Sequence, residues 1–135
     1  MVSKAAICII GGYDDLSKAF FKALNKKYKS TVFVNLLTTN FYDKNLYNYN
    51  IFELKRILTL LKSKNVKEII FLGKIQRPDL SKFKRDGIVE NYISSLLKAY
   101  KKGDGAILDA VVDIFKKNNF KAVSPLKYSN ILSLS

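Results

Sequence analysis

The sequence has no histidine, no tryptophan, one cysteine and two prolines in 135 residues. Without histidine, Ser-His and Cys-His nucleophilic pairs cannot be assembled within the chain. With a single thiol, neither can a structural zinc site or an intrachain disulfide. No apolar run approaches the roughly 18 residues that suggest a membrane-crossing helix. The N-terminus, MVSKAAICIIGG, has one lysine, a short apolar run and no small-residue cleavage site. It reads as a first strand rather than a signal peptide, and the expected compartment is the cytoplasm. Arginine is scarce as well: Arg56, Arg77 and Arg85 are the only three among 24 basic residues.

The basic excess is what the sequence does have. Lys plus Arg is 24 and Asp plus Glu is 11, a net charge of +13. A field of that sign attracts nucleic acid, anionic lipid or a phosphorylated ligand. Lysine dispersed over a solvated surface accounts for most of it. Nucleic-acid readers cluster arginine with aromatics on one face, and no such cluster, RNP-type motif or helix-turn-helix signature occurs. Nucleic acid is therefore the disfavoured partner.

The length predicts one domain, with roughly two-thirds of the unfolded chain's surface buried on folding. Residues 5–10 form a short continuous apolar run, as in a strand buried on both faces. A helix is predicted from Asp15, with Leu16, Ala19, Phe20, Ala23 and Leu24 on one face and Asp14 or Asp15 as its cap. Residues 31–36 (TVFVNL) are a second strand, and residues 38–50, rich in Asn and Tyr, a loop. Leu54, Ile57, Leu58 and Leu61 make a second helix face within 51–64. Residues 68–72 (EIIFL) are a third strand ending at Gly73. Val89, Tyr92, Ile93, Leu96, Leu97 and Tyr100 mark a third helix that stops near Lys102-Gly103. Asp104 can cap a fourth, carrying Ile107, Leu108, Val111, Val112 and Phe115. Residues 120–123 are a short last strand. The expected fold is α/β: a small Rossmann-like three-layer domain with a mostly parallel sheet of about four strands and helices on both faces. Ligands of such sheets bind outside the carboxyl ends of the strands.

Three loops are expected at that edge. The first is Gly11-Gly12-Tyr13-Asp14-Asp15. Its glycines would let a phosphate approach the helix N-terminus. It is neither GxGxxG nor a Walker A sequence, its two acids would repel an anion, and a tight turn explains it equally well. The second, Gly73-Lys74-Ile75-Gln76-Arg77-Pro78-Asp79, follows the third strand. Its guanidinium can grip phosphate in a bidentate way that lysine cannot, or it can pair with Asp79 or Asp86 merely to order the loop. The third, Lys102-Gly103-Asp104-Gly105, is by itself a helix-to-helix turn. Tyr13, Tyr42, Tyr47 and Tyr49 are read as loop and rim aromatics.

These residues carry a resemblance. Ile9-Ile10-Gly11-Gly12, the GKIQRPDL loop at 73–80, the Lys102-Gly103-Asp104 turn and the tail Phe120-Lys121-Ala122-Val123 occur in this order in the UDP-2,3-diacylglucosamine pyrophosphatases of lipid A biosynthesis, in their DUF1009 form. The chain resembles the N-terminal domain of that family over nearly all its length, most specifically in the GKIQRPDL loop. It departs where Tyr13-Asp14-Asp15-Leu16-Ser17 replaces a third glycine and a Leu-Pro pair. It departs again at Gly105, where the family reads aspartate. The resemblance implies hydrolysis of UDP-2,3-diacylglucosamine to UMP and lipid X with Mg²⁺, at a site between two domains. It implies substrate-binding roles for Gly11, Gly12, Gly73, Lys74, Arg77 and Asp104. The catalytic acids and metal ligands are expected in a second domain outside these 135 residues, so this chain alone is expected to be inert. A peripheral inner-membrane location is expected from the lipid-linked substrate. The oligomeric state is left open, a homodimer included. Two alternatives from other classes remain: a free-standing nucleotide-binding module, and a basic adaptor for RNA or anionic lipid.

Overall fold

In the computed structural model, residues 6–28, 30–37, 39–73 and 90–128 are described. Five strands form one sheet: β1 (Ala6–Gly11), β2 (Val32–Asn35), β3 (Leu46–Asn48), β4 (Val66–Leu72) and β5 (Lys121–Val123). The order is β3-β2-β1-β4-β5 and every pairing is parallel. The helices are α1 (Asp15–Lys27), α2 (Leu54–Ser63), α3 (Glu90–Lys102) and α4 (Asp104–Lys117), and a 3-10 turn spans Pro125–Tyr128.

Period-two alternation divides β1 between two cores. Ala6, Cys8 and Ile10 face α2, α3 and α4, where Leu54, Ile57, Leu61, Leu96, Val111 and Phe115 cover them. Ile7 and Ile9 face α1, where Phe20, Phe21 and Leu24 cover them together with Tyr128. Residues that read as a continuous apolar run are therefore the mark of a strand covered on both sides. The chain is a small Rossmann-like α/β domain with three layers.

Two expectations are corrected. Residues 38–50 are not all loop, because Leu46–Asn48 pairs with β2 as an edge strand and becomes the fifth of the sheet. The connection from β2 to β3 contains no helix among its described residues, so the usual alternation signal is absent there. The buried face of α1 is also rotated. Leu16 is 64% exposed, and Ser17 is fully buried beside Phe20, Phe21 and Leu24. Ser17 Oγ lies close against Gly73, just past β4.

Candidate functional site

The central pair of strands sets the geometry. β1 and β4 are neighbours, with Gly11 beside Leu72 at their carboxyl ends. This is the topological switch point of the sheet, where β1 connects toward one side and β4 toward the other. It brings together Gly11, Gly12 and Gly73, three of the residues singled out in the sequence.

The glycines serve a close junction. A Cβ on Gly11 would lie 1.8 Å from the Leu72 carbonyl oxygen. Gly73 has φ +77°, and its Cβ would lie 2.8 Å from Gly12 O, 2.9 Å from Ser17 Oγ and 3.2 Å from Asp14 Oδ2. The space that these glycines were expected to leave for a ligand is filled, on their Cβ sides, by protein atoms. Ser17 Oγ, completely buried here, has no hydrogen-bond partner among the described residues.

Asp14 closes the amino end of α1. Its Oδ1 accepts the Ser17 N–H at 2.8 Å, and its own N–H donates to Gly12 O at 3.0 Å. The carboxylate thus occupies the positive end of the helix dipole. Any anion at this edge needs positive charge from elsewhere. Lys74 and Arg77, the sequence candidates for that charge, lie outside the described residues, as do Asp79 and Asp86. Asp104 is the first residue of α4, with Gly103 rather than Asp104 at the N-cap position.

Sequence reasoning passed over the residue that organises the edge. Asn35, fully buried at the end of β2, has both amide groups engaged. Its Oδ1 accepts the N–H groups of Tyr13 and Leu37, both at 3.2 Å. Its Nδ2 donates to Thr39 O at 3.0 Å and to Asn48 Oδ1 at 2.8 Å. Asn48 in turn holds both backbone groups of Phe41. Tyr13 is a core residue rather than a rim aromatic. It is 6% exposed, and its ring meets Phe33 at 4.9 Å and Phe41 at 5.3 Å between centroids. Its hydroxyl donates to Asp43 at 3.2 Å; burial and then the Asp43 charge raise its pKa. Tyr42, by contrast, is 90% exposed.

With that geometry in hand, the comparisons with known proteins decide the family. The model of the LpxI N-terminal domain matches residues 6–132. The chain belongs to the LpxI N-terminal domain family. The UDP-2,3-diacylglucosamine pyrophosphatase LpxI of Caulobacter vibrioides is 33% identical over 69 residues, covering 51% of this chain and 25% of that protein. The matched stretch thus spans about a quarter of this curated relative. Among solved structures, an L-threonine dehydrogenase from Phytophthora infestans aligns with a TM-score of 0.55 at 11% identity, covering 89% of this chain and 35% of that one. A monomeric L-threonine 3-dehydrogenase from a metagenome aligns at 0.53 and 17% identity, covering 86% and 34%. These two likenesses concern the fold.

The LpxI-type domain departs from the dinucleotide-binding version of that fold. Such sites place an Asp or Glu after the second strand for a ribose hydroxyl, and a glycine where the pyrophosphate meets the helix. Here the corresponding end of β2 carries Asn35, whose amide is used internally, and a capping carboxylate stands at the helix start.

Proposed function

We propose that the chain is the substrate-binding half of a UDP-2,3-diacylglucosamine pyrophosphatase. In this reading the uridine diphosphate part of the substrate lies across the β1 and β4 ends. Hydrolysis to UMP and lipid X is completed by acidic groups of another domain. The observation that carries the reading is the adjacency of Gly11 and Leu72, which makes the start of the GKIQRPDL loop a neighbour of the first glycine loop. The family match and the curated relative's activity support the substrate class.

Each element then has a role. The β1–β4 junction supplies a rigid floor. Lys74, Arg77 and the backbone about Gly12 and Gly73 hold the diphosphate, and Asp104 lines the same edge from the start of α4. Arg77 provides the charge that Asp14 and Asp15 withhold. Magnesium is the metal the family resemblance implies. Among the described residues no group of three or more His, Cys, Asp or Glu side chains could hold an ion. In this reading the metal's ligands lie outside this chain. The chain alone is expected not to release UMP.

Calorimetric titration of a UDP-sugar tests the reading. Arg77→Ala should remove a charge-assisted contact of roughly 1.5–3 kcal/mol, a loss of about ten- to a hundredfold in affinity. Arg77→Lys should recover part of it. Lys18→Ala, at an exposed position on α1, should change little. Parent-like binding by Arg77→Ala, or an equal loss in Lys18→Ala, would replace the localised site with a diffuse basic surface.

A further inference from the structure

Exposed lysines stand on every described helix, with Lys18, Lys22, Lys26 and Lys27 on α1 and Lys98, Lys101 and Lys102 on α3; α2 differs in lying beside a tyrosine-bearing edge strand. On α4 the exposed Lys116 and Lys117 share the helix with exposed Asp109 and Asp113, and Lys117 pairs with Asp113 at 3.1 Å. On α2 the exposed cations are Lys55, Arg56 and Lys62, followed by Lys64 just past its end. Glu53 is the acid beside them, and both its oxygens are engaged. One accepts the Asn50 N–H at 2.9 Å, and the other pairs with Arg56 Nη1 at 3.0 Å.

The edge strand β3 runs beside this helix. Lys64 Nζ stands 6.0 Å from the centre of the Tyr47 ring. A shallow, open surface depression is lined by Tyr49, Lys55, Arg56, Thr59 and Leu60. Thr59 donates its hydroxyl proton to the Lys55 carbonyl at 2.8 Å. The lining residues with donors to offer an anion are then Lys55, Tyr49 and Arg56, whose Nη1 alone is shown on Glu53. Guanidinium carries five N–H donors in a rigid fork suited to phosphate oxygens. Lys55 and Arg56 lie in the first turn of α2, where the chain has just left the carboxyl end of β3. The depression thus sits toward the same edge of the sheet as the β1–β4 junction.

We propose that the α2–β3 face docks on an anionic lipid bilayer, with a headgroup phosphate seated in the depression between Lys55 and Arg56. The charge is complementary, and tyrosine beside lysine is the composition that suits a bilayer interface. Choosing a bilayer over a polynucleotide rests partly on the lipid-linked substrate proposed above. It also rests on residue type. Lysines outnumber arginine on this face, and Tyr47 and Tyr49 are half-buried against the core rather than open platforms for stacked bases.

The test is co-sedimentation of the 135-residue chain with phosphatidylcholine vesicles, with and without phosphatidylglycerol. Lys55→Ala/Arg56→Ala is compared with Lys116→Ala/Lys117→Ala. Each double variant removes two positive charges and one exposed ion pair. At about 1 kcal/mol per well-placed cation, the α2 variant should lose about thirtyfold in partition to the anionic vesicles, and the α4 variant much less. Titration of a UDP-sugar into both variants should match the parent. A parent that binds the vesicles but no UDP-sugar would sink the substrate reading while leaving this face standing. Equal losses in the two variants, or no preference for anionic vesicles, would overturn the proposal. So would binding of a single-stranded oligonucleotide that depends on this depression and is tighter than binding to the vesicles, which would assign the face to nucleic acid.

Discussion

At the end of β2 one buried carboxamide, that of Asn35, holds the first glycine loop, the turn after β2 and the edge strand together. Removing it strands several buried polar groups, each costing of the order of 1–3 kcal/mol. Asn35→Ala should therefore destabilise the domain by at least about 2 kcal/mol, read from the midpoint of a urea transition. Asn35→Asp should be no milder, since it presents a carboxylate to the Thr39 and Asn48 oxygens. A variant that unfolds with the parent would show that the network is not holding the edge. The glycines give an internal contrast. Gly11→Ala should fold poorly or not at all, because its methyl would meet the Leu72 carbonyl. Gly105→Ala meets nothing within 4 Å on α4 and should raise stability by up to about 1 kcal/mol. Thermal melts of the two variants decide this. Gly11 and Gly73 were legible as special positions, but their reason was not. Sequence places them at strand ends without showing which backbone passes beside them. Asn35 carried no signal, because an asparagine ending an apolar strand looks like the start of any turn.

Among the elements, the long ones were readable and the short ones were not. The spacing of Leu54, Ile57, Leu58 and Leu61 matches the buried face of α2, and all four are buried. β3 was missed because three residues carry too little periodicity. A usable signal stood beside it. Asn45, Asn65 and Asn119 are the described non-glycine residues with positive φ, and they precede β3, β4 and the entry to β5. Asparagine tolerates that left-handed conformation better than most residues. A further tie joins elements distant in sequence. Glu68 on β4 accepts Lys127 Nζ at 2.8 Å and the Tyr128 hydroxyl at 2.7 Å. The Lys127 hydrogen bond, with help from Tyr128, lowers the Glu68 pKa against an opposing effect of burial. A depressed carboxylate contributes stability above its unfolded pKa, near 4.3, and loses it as pH falls through the folded value. On acidification below about pH 5 the parent's melting temperature should fall more steeply than that of Glu68→Gln, and the two should converge. Parallel curves would show that the tie does not stabilise the fold.

For the whole molecule, the alternation of strands and helices was enough to predict a parallel sheet with helices on both faces. The order β3-β2-β1-β4-β5 reverses direction after β3, and α1 and α2 accordingly cover opposite faces of the sheet, as right-handed crossovers require. No described helix is long and apolar enough to cross a membrane. The activity is less legible than the fold, because apolar periodicity fixes strands and helices but says nothing of what the polar loops at the strand ends hold. We propose that a uridine diphosphate group is held at the β1–β4 junction. The most direct measurement is amide chemical-shift mapping of the labelled chain during titration with a UDP-sugar. Saturable shifts concentrated at Gly11–Leu16 and Leu72–Arg77, with the carboxyl end of α4 unmoved, are the expected result. Shifts scattered over the lysine-bearing helix faces, or none at ligand concentrations that saturate a two-domain relative, would contradict it.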